Sequence, residues 1–132
     1  MLRDEDFRRL LEFRDGLRRF QHWSEAEAKA VGLTGAQHQL LLAIRGHGTA
    51  PSIREVAAHL LLRHHSVVEL VDRAVTARLV ERVGDEHDQR VVRLRLTQTG
   101  RDRVDALAGA HLEELSRLRS RFESLWSDLP AG

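Results

Sequence analysis

Arginine is the residue type in this sequence whose number and spacing could most readily do chemistry. Of the 21 basic residues, 20 are Arg and only Lys29 is Lys. A guanidinium forms paired hydrogen bonds with phosphate or guanine, which an ammonium cannot do. Codon bias in a GC-rich genome also explains an Arg-rich composition, so placement is more telling than number. Residues 90–101 hold four Arg and no acidic residue, directly after the acidic stretch GDEHD (84–88).

Histidine is the second residue type that could do chemistry, as a metal ligand. The chain has eight His and no Cys. His59, His64 and His65 are close in sequence, but their spacing matches no recognised metal-binding motif. Without Cys, neither a thiolate zinc site nor a disulfide can form. We therefore expect no metal and no other cofactor.

Patterns typical of an active site are missing from the sequence. There is no nucleophile elbow, no glycine-rich phosphate loop and no paired-carboxylate motif. The sequence therefore predicts that the protein is not an enzyme.

Length and composition narrow the class of protein further. A chain of 132 residues suits one domain, here 1–132, with its own hydrophobic core. The net charge of +1 does not suit a uniformly basic nucleic-acid coat. No apolar run is as long as a membrane span, and no signal-peptide pattern opens the chain. We expect a cytoplasmic protein with no membrane partner.

Helix starts are easy to recognise in this sequence. Three residue pairs match the capping box, namely Thr34 with Gln37, Ser52 with Glu55, and Ser24 with Glu27. The third pair could equally lie inside a longer first helix. The pattern predicts helices over about 35–45 and 53–60, and a third over about 64–78. Apolar residues of the third helix follow helical spacing, at Val67, Leu70, Val71, Ala74 and Val75. The last two helices, joined by a short turn, are typical of a helix-turn-helix.

After residue 78 the apolar period changes from helical to alternating. Val80 and Val83 bracket a short strand, and a second strand ends at Leu96. In that second strand one face carries apolar side chains (Val92, Leu94, Leu96) and the other carries Arg93 and Arg95. Residues 84–90 are expected to form the hairpin loop. Thr97 is a suitable N-cap for a final helix.

The two terminal helices carry long apolar seams. In the last helix the seam comprises Ala108, His111, Leu115, Leu118, Phe122, Leu125 and Leu129, with heptad-like steps of three and four. The first helix repeats this rhythm at Leu10, Phe13, Leu17 and Phe20. Packing within one chain is one explanation. We favour a homodimer interface, because the seams are long for one small domain.

Five segments together resemble the MarR family of winged helix-turn-helix regulators. They are LTGAQHQLLLAI (33–44), IREVAAHL (53–60), SVVELVDRAVTARLVER (66–82), DQR (88–90) and LTQTG (96–100). The resemblance covers nearly the whole chain. It implies a mainly α fold with a small β-hairpin wing, dimerisation helices at 1–30 and 98–128, and a DNA-binding part at 34–97.

The resemblance also implies a function. Such a homodimer binds double-stranded DNA at a pseudo-palindromic operator, usually as a repressor of nearby genes, and a small aromatic effector releases it. The sequence departs from the family pattern at two turns, where Leu61 and Arg78 stand in place of the usual glycine. A left-handed backbone is less favourable for these residues than for glycine.

The family architecture predicts which residues meet DNA. A recognition helix reads bases with its N-terminal residues, here Arg63, His64, His65 and Ser66, and Glu69 and Arg73 follow on its exposed face. Ser52 and Arg54, at the start of the preceding helix, are expected to meet phosphate. A solvated helix face would explain Glu69 equally well.

The wing provides a second predicted contact. Arg90 at the hairpin tip suits the narrow minor groove, where negative potential attracts an inserted Arg. We expect Asp88 to brace the loop through a salt bridge, with Arg73 as the candidate partner. The alternative is a solvated, charged turn.

Phe20, Trp23, His38 and His111 are the candidate effector-binding residues, although ordinary core packing explains them as well. A winged-helix protein that binds other proteins, without sequence-specific DNA binding, is the alternative function. The near-neutral charge keeps that alternative open.

Overall fold

The chain folds into five helices and a two-stranded hairpin. The structure is a computed structural model, and it describes residues 1–127 and 129. The helices are α1 (Asp4–Ala30), α2 (Gly35–Gly46), α3 (Ile53–Leu60), α4 (His64–Thr76) and α5 (Gln98–Trp126). Strands β1 (Val80–Gly84) and β2 (Val92–Leu96) lie between α4 and α5 in the chain. The expected fold class, mainly helical with a small hairpin, is confirmed. Asp128, which was assigned to the last helix, lies outside the described residues.

Side-chain caps fix the starts of α2, α3 and α5. The Thr34 hydroxyl accepts from the Gln37 amide at 3.0 Å, and the Ser52 hydroxyl accepts from the Glu55 amide at 3.2 Å. Thr97 caps α5 in the same way. These caps explain why the predicted starts were right within a residue. The third capping-box match did not mark a start, because Ser24 lies inside the continuous helix α1.

Two non-glycine residues end helices in the left-handed conformation. Leu61 after α3 has φ 55°, and Arg78 after α4 has φ 61°. These are the two positions where the sequence lacks the glycine usual in similar regulators. The conformation costs about 1–2 kcal/mol for a residue with a Cβ. Helix α4 therefore ends at Thr76, two residues before the predicted end at 78.

The hydrophobic core lies where α2, α3, α4 and the hairpin meet the first half of α5. From α4 it receives Val67, Val71 and Ala74, all fully buried, while Leu70 and Val75 are partly buried. This is the face that the helical spacing predicted. The opposite face of α4 is consequently left to solvent.

The hairpin is attached to the helix-turn-helix along β2. Strand β1 pairs with β2 in antiparallel register from Val80 opposite Leu96 to Gly84 opposite Val92. The Leu94 amide donates to the Pro51 carbonyl at 2.8 Å, just before α3. Leu94 and Leu96 are buried, whereas Val92 is 38% exposed and anchors the strand less than expected.

The LTQTG segment joins the hairpin to α5. The Thr97 hydroxyl donates to the Arg78 carbonyl at 2.7 Å, and the Thr97 amide donates to the Leu79 carbonyl at 3.0 Å. A Cβ at Gly100 would lie 2.1 Å from the Leu79 carbonyl oxygen. Only glycine fits there without moving the backbone, so the spacing of Thr97 and Gly100 has a direct steric reason.

The far ends of α1 and α5 pack on each other through aromatic rings. Phe13 meets Phe122 edge-on with ring centroids 5.5 Å apart, and it meets Trp126 at 5.9 Å. Phe122, which belongs to the predicted seam, thus packs on α1 of its own chain, and Leu125 of the same seam is buried. Leu115 remains 62% exposed. None of the described helices is long and apolar enough to cross a membrane.

Candidate nucleic-acid interface

The first residues of α4 form an exposed, basic helix start. Arg63 is the N-cap residue and makes no side-chain cap, and the first turn of α4 contains no acidic residue. Arg63, His64 and His65 are exposed, and Ser66 is partly buried. The unpaired amides of a helix start carry partial positive charge, which the guanidinium reinforces. This end of α4 is suited to a polyanion.

Farther along α4, Glu69 and Arg73 lie on the same exposed side. Asp72 is paired instead with Arg82 of β1, which ties the helix to the hairpin. Among the described residues, neither Glu69 nor Arg73 takes part in an ion pair. Both side chains are therefore available to a partner.

The start of α3 is partly occupied by its own cap. The Ser52 amide donates to Glu55 Oε1 at 3.0 Å, in return for the bond from the Glu55 amide to the Ser52 hydroxyl. The Ser52 amide and hydroxyl are therefore already hydrogen-bonded, and Ser52 is a weaker candidate for a phosphate contact than the sequence suggested. The amides of Ile53 and Arg54, in the first turn, have no intrahelical acceptor. The Arg54 side chain is exposed beside them.

Arg90 stands at the tip of the hairpin with 91% of its side chain exposed. Its Nε lies 3.1 Å from Asp88 Oδ1, and its Nη2 lies 3.3 Å from Asp88 Oδ2. The expected bridge between Asp88 and Arg73 is wrong, because Asp88 pairs with Arg90, two residues away. These hydrogen bonds from Arg90 hold the pKa of the Asp88 carboxyl below its usual range.

Asp85 braces the loop together with Asp88, whose Oδ1 also accepts from the Arg90 amide at 3.0 Å. Asp85 Oδ2 accepts from the amides of His87 at 3.0 Å and Asp88 at 2.9 Å, which sets the turn. Its other oxygen, Oδ1, accepts from Arg93 Nε at 2.6 Å. The pKa of Asp85 is lowered, chiefly by this Arg93 hydrogen bond and then by the two backbone amides.

Arg93 extends this brace to the helix-turn-helix. Its Nη1 donates to the Ala50 carbonyl at 3.0 Å and approaches Glu55 Oε1 at 3.4 Å. Asp85, Arg93 and Glu55 are together called the wing anchor below. The wing anchor joins the hairpin loop to the capped start of α3, so the loop and the helix-turn-helix are held as one unit.

Two histidines continue the wing anchor away from the hairpin. His47 Nε2 lies 2.8 Å from Glu55 Oε2, and His47 Nδ1 lies 2.9 Å from His59 Nε2. The pKa of Glu55 is lowered, first by the Ser52 amide and also by His47. Within residues 1–127 and 129, no group of three or more His, Asp or Glu side chains is arranged to hold a metal ion.

The four candidate effector residues form one aromatic cluster. Trp23 and His38 lie 4.7 and 4.8 Å from the His111 ring, measured between centroids. Phe20 lies 6.1 Å from His111 and 6.0 Å from Trp23. The His111 Nε2 is 2.7 Å from the Ser24 hydroxyl, and Nδ1 is 2.8 Å from the Leu107 carbonyl. Both ring nitrogens of His111 therefore have partners inside the chain.

Sequence reasoning missed the wing anchor, although a signal for it existed. The alternating pattern places Arg93 on an outward face with Arg95 and predicts no separate role for it. The hairpin register puts Asp85 and Arg93 at the same end of the strand pair. Opposite charges at such positions attract each other, and this rule could have identified the pair.

A helix-turn-helix followed by a hairpin that carries an exposed Arg at its tip defines a winged helix-turn-helix protein. Residues 31–91 match the family model of MarR. A solved MarR family transcription regulator aligns at a TM-score of 0.78 with 20% identity, over 92% of this chain and 80% of that chain. No curated protein sequence matches the chain.

Two structures of regulators in complex with DNA also align. A complex of S. aureus MepR with DNA gives a TM-score of 0.68 at 20% identity, covering 83% of this chain and 79% of MepR. A mutant of E. coli MarR with operator DNA gives 0.65 at 21% identity, covering 86% of this chain and 87% of that one. The chain therefore has the winged helix-turn-helix fold of these regulators, and its residues 31–91 are similar to the MarR family.

Proposed function

We propose that the protein is a homodimeric repressor that binds a pseudo-palindromic operator near its own gene and is released by a small ligand. One observation carries this proposal. The exposed start of α4 (Arg63–Ser66) and the exposed Arg90 belong to one unit, because the wing anchor ties the hairpin loop to the helix-turn-helix. Because the start of α4 and Arg90 are held at a fixed spacing, they are suited to contact two adjacent grooves of one DNA duplex.

In the proposed complex, α4 enters the major groove with its N-terminus. Arg63 contacts guanine O6 and N7, and Ser66 or a histidine contacts a base edge or phosphate. The amides of Ile53 and Arg54 bind a phosphate beside the groove, and Arg73 contacts a phosphate farther along the DNA backbone.

Arg90 enters the neighbouring minor groove. On binding, Arg90 must break its ion pair with Asp88, and the negative potential of the groove takes the place of that carboxylate. The potential is deepest where A·T pairs narrow the groove. Asp88 then serves the free protein by keeping the guanidinium extended from the tip. This role adds to the brace that Asp88 provides by accepting from the Arg90 amide.

The dimer is proposed to form through exposed apolar residues of the terminal helices. Each of these residues is more than half exposed: Leu2, Phe7, Leu10, Leu11, Leu112, Leu115 and Trp126. They lie on α1, on α5 and just before α1, and apolar residues exposed in this number on two helices are typical of an interface. Two copies related by a twofold axis would present two α4 helices to a palindromic site.

Effector binding is assigned to the region between α1, α2 and α5, where Phe20, Trp23, His38 and His111 cluster. This region lies between the proposed dimer surface and the DNA-reading helices. Because operator DNA is the proposed target, the protein acts in the cytoplasm.

Footprinting on the DNA flanking the gene tests the proposal. We expect a protected, pseudo-palindromic site whose half-sites are about one helical turn apart. Binding should weaken steeply as salt rises, because phosphate contacts release counterions. Salt-insensitive binding, or no preference for any sequence, would favour a winged-helix module that binds other proteins.

A further inference from the structure

A groove of about 480 Å³ lies between α1 and α2 beside the aromatic cluster. Its walls include Leu17, Phe20 and Glu25 from α1, and Gly35, His38 and Gln39 from α2. The volume is in the range of sites for small organic molecules. The charges along these walls decide which chemical class of molecule the groove can hold.

The groove has a negative wall, and none of the described residues that line it is positively charged. Among them, Glu25 alone carries a formal charge at neutral pH, although the chain holds 21 Arg and Lys residues. Glu25 is exposed, and in the described part of the chain it has no ion pair. The Glu25 carboxylate therefore has no positive partner within the described residues, and a ligand could supply one.

His38 adds no positive charge to the groove. The side chain is buried, with 4% of the residue exposed. Burial lowers the pKa of His38, and repulsion from the nearby His111 lowers it further. A neutral imidazole can hydrogen-bond to a ligand, but it does not neutralise an anion.

The remaining wall combines apolar and aromatic side chains with the neutral polar residues Gln21, Ser24 and Gln39. Phe20 and Leu17 line it, and Trp23 stands behind Phe20 with ring centroids 6.0 Å apart. Aromatic faces attract cations as well as apolar surface. A carboxylate in the same place would lose its hydration without gaining a positive partner.

We propose that this groove binds a small organic cation with an aromatic body, its ammonium group near Glu25 and its ring against Phe20. This inference rests on the proposed function, because it names the ligand class for the effector region. The ligand would touch α1 and α2 together, and α2 leads directly into the helix-turn-helix. Binding would therefore alter the spacing between the proposed dimer helices and the DNA-reading helices.

Three naphthalene compounds of nearly equal size test the charge preference. They are 1-naphthylmethylamine, which is a cation at neutral pH, 1-naphthalenemethanol, which is neutral, and 1-naphthoate, which is an anion. Calorimetric titration of the DNA-free protein should rank the affinities amine, then alcohol, then carboxylate, with at least about tenfold between the first and last. Tightest binding of the carboxylate, or binding of none of the three, would overturn the proposal.

Glu25→Gln should remove the advantage of the amine over the alcohol and leave the affinity for the alcohol unchanged. Glu27→Gln is the matched control, since Glu27 lies on the same helix but does not line the groove. An unchanged amine affinity in Glu25→Gln would contradict the assignment. DNA binding is measured separately with labelled operator. If DNA binding is intact but no ligand binds, only the proposed ligand site is rejected. If DNA binding is absent, the proposed function is rejected.

Discussion

Arg93 and Asp85 form the ion pair that fixes the wing, with Nε and Oδ1 2.6 Å apart. Arg93 is the half-buried centre of the wing anchor, because it also contacts the Ala50 carbonyl and Glu55. Arg95, two residues along β2, is more exposed and pairs with Glu81 on the neighbouring strand. The two arginines share a strand and a charge, yet only Arg93 joins the hairpin loop to α3.

Arg93→Gln should therefore weaken operator binding although Arg93 need not touch DNA, because the loop that presents Arg90 is released from α3. Fluorescence anisotropy with labelled operator measures this loss. Arg95→Gln, which removes the same charge, should cause a clearly smaller one. Equal losses for the two variants would mean that only the charge of β2 matters and that the anchor has no positioning role.

The wing anchor also has a pH dependence with a definite sign. The folded pKa of Asp85 lies below its ordinary value of 3.8, and that of Glu55 lies below 4.5. Stabilisation from a lowered carboxyl pKa is present above the unfolded value and is lost as pH falls through the folded value. Arg93 stays charged throughout, since its pKa is raised.

Urea unfolding of wild type and Arg93→Gln should thus show a stability difference near neutral pH that shrinks once the pH falls below 3.8. The Arg95→Gln control should show a smaller difference at neutral pH. A wild-type advantage that stayed constant into acid would show that the Asp85 and Glu55 carboxylates do not hold Arg93.

Arg90→Ala should weaken operator binding and leave the melting temperature nearly unchanged, because the side chain is 91% exposed. The loss should be larger on operators with A·T-rich flanks than on those with G·C-rich flanks, since the narrow groove has the deeper potential. Asp88→Ala removes the partner of Arg90 and the hydrogen bond from the Arg90 amide, but it leaves the loop held by Asp85, so its stability should fall only slightly. Identical binding of wild type and Arg90→Ala to both operators would make the wing a structural hairpin only.

The helices and the hairpin could be predicted from local signals. The Thr34 and Ser52 caps and the alternation around Leu94 each depend on residues a few positions apart, and all three predictions were right. The partners of Asp88 and Arg93 could not be assigned in this way. They depend on how the loop folds back on itself and on how β2 meets α3, which is long-range packing that a local pattern does not contain.

The same limit applies to the terminal seams. Heptad-like spacing identified an apolar face on α5, but the spacing alone could not divide that face between α1 of the same chain and a second chain. In the structure, Phe122 contacts α1 of the same chain and Leu125 is buried, whereas Leu115 is largely exposed.

Leu115→Asp should shift the protein from dimer to monomer, because a charge would be buried in an apolar interface. Light scattering over a dilution series measures the change. Leu42→Asp is the matched control, as Leu42 of α2 is 50% exposed and lies outside the proposed interface. A Leu115→Asp variant that remains dimeric would place the interface elsewhere.

Base-specific DNA binding through the start of α4 is the central claim, and Arg63→Ala tests it most directly. Affinities of wild type and Arg63→Ala are compared on the operator and on random DNA of the same length and salt concentration. The variant should lose about 1–3 kcal/mol on the operator, with relaxed preference at one base pair, and much less on random DNA. Equal losses on both DNAs would show that Arg63 contacts only phosphate and that α4 does not read the sequence as proposed.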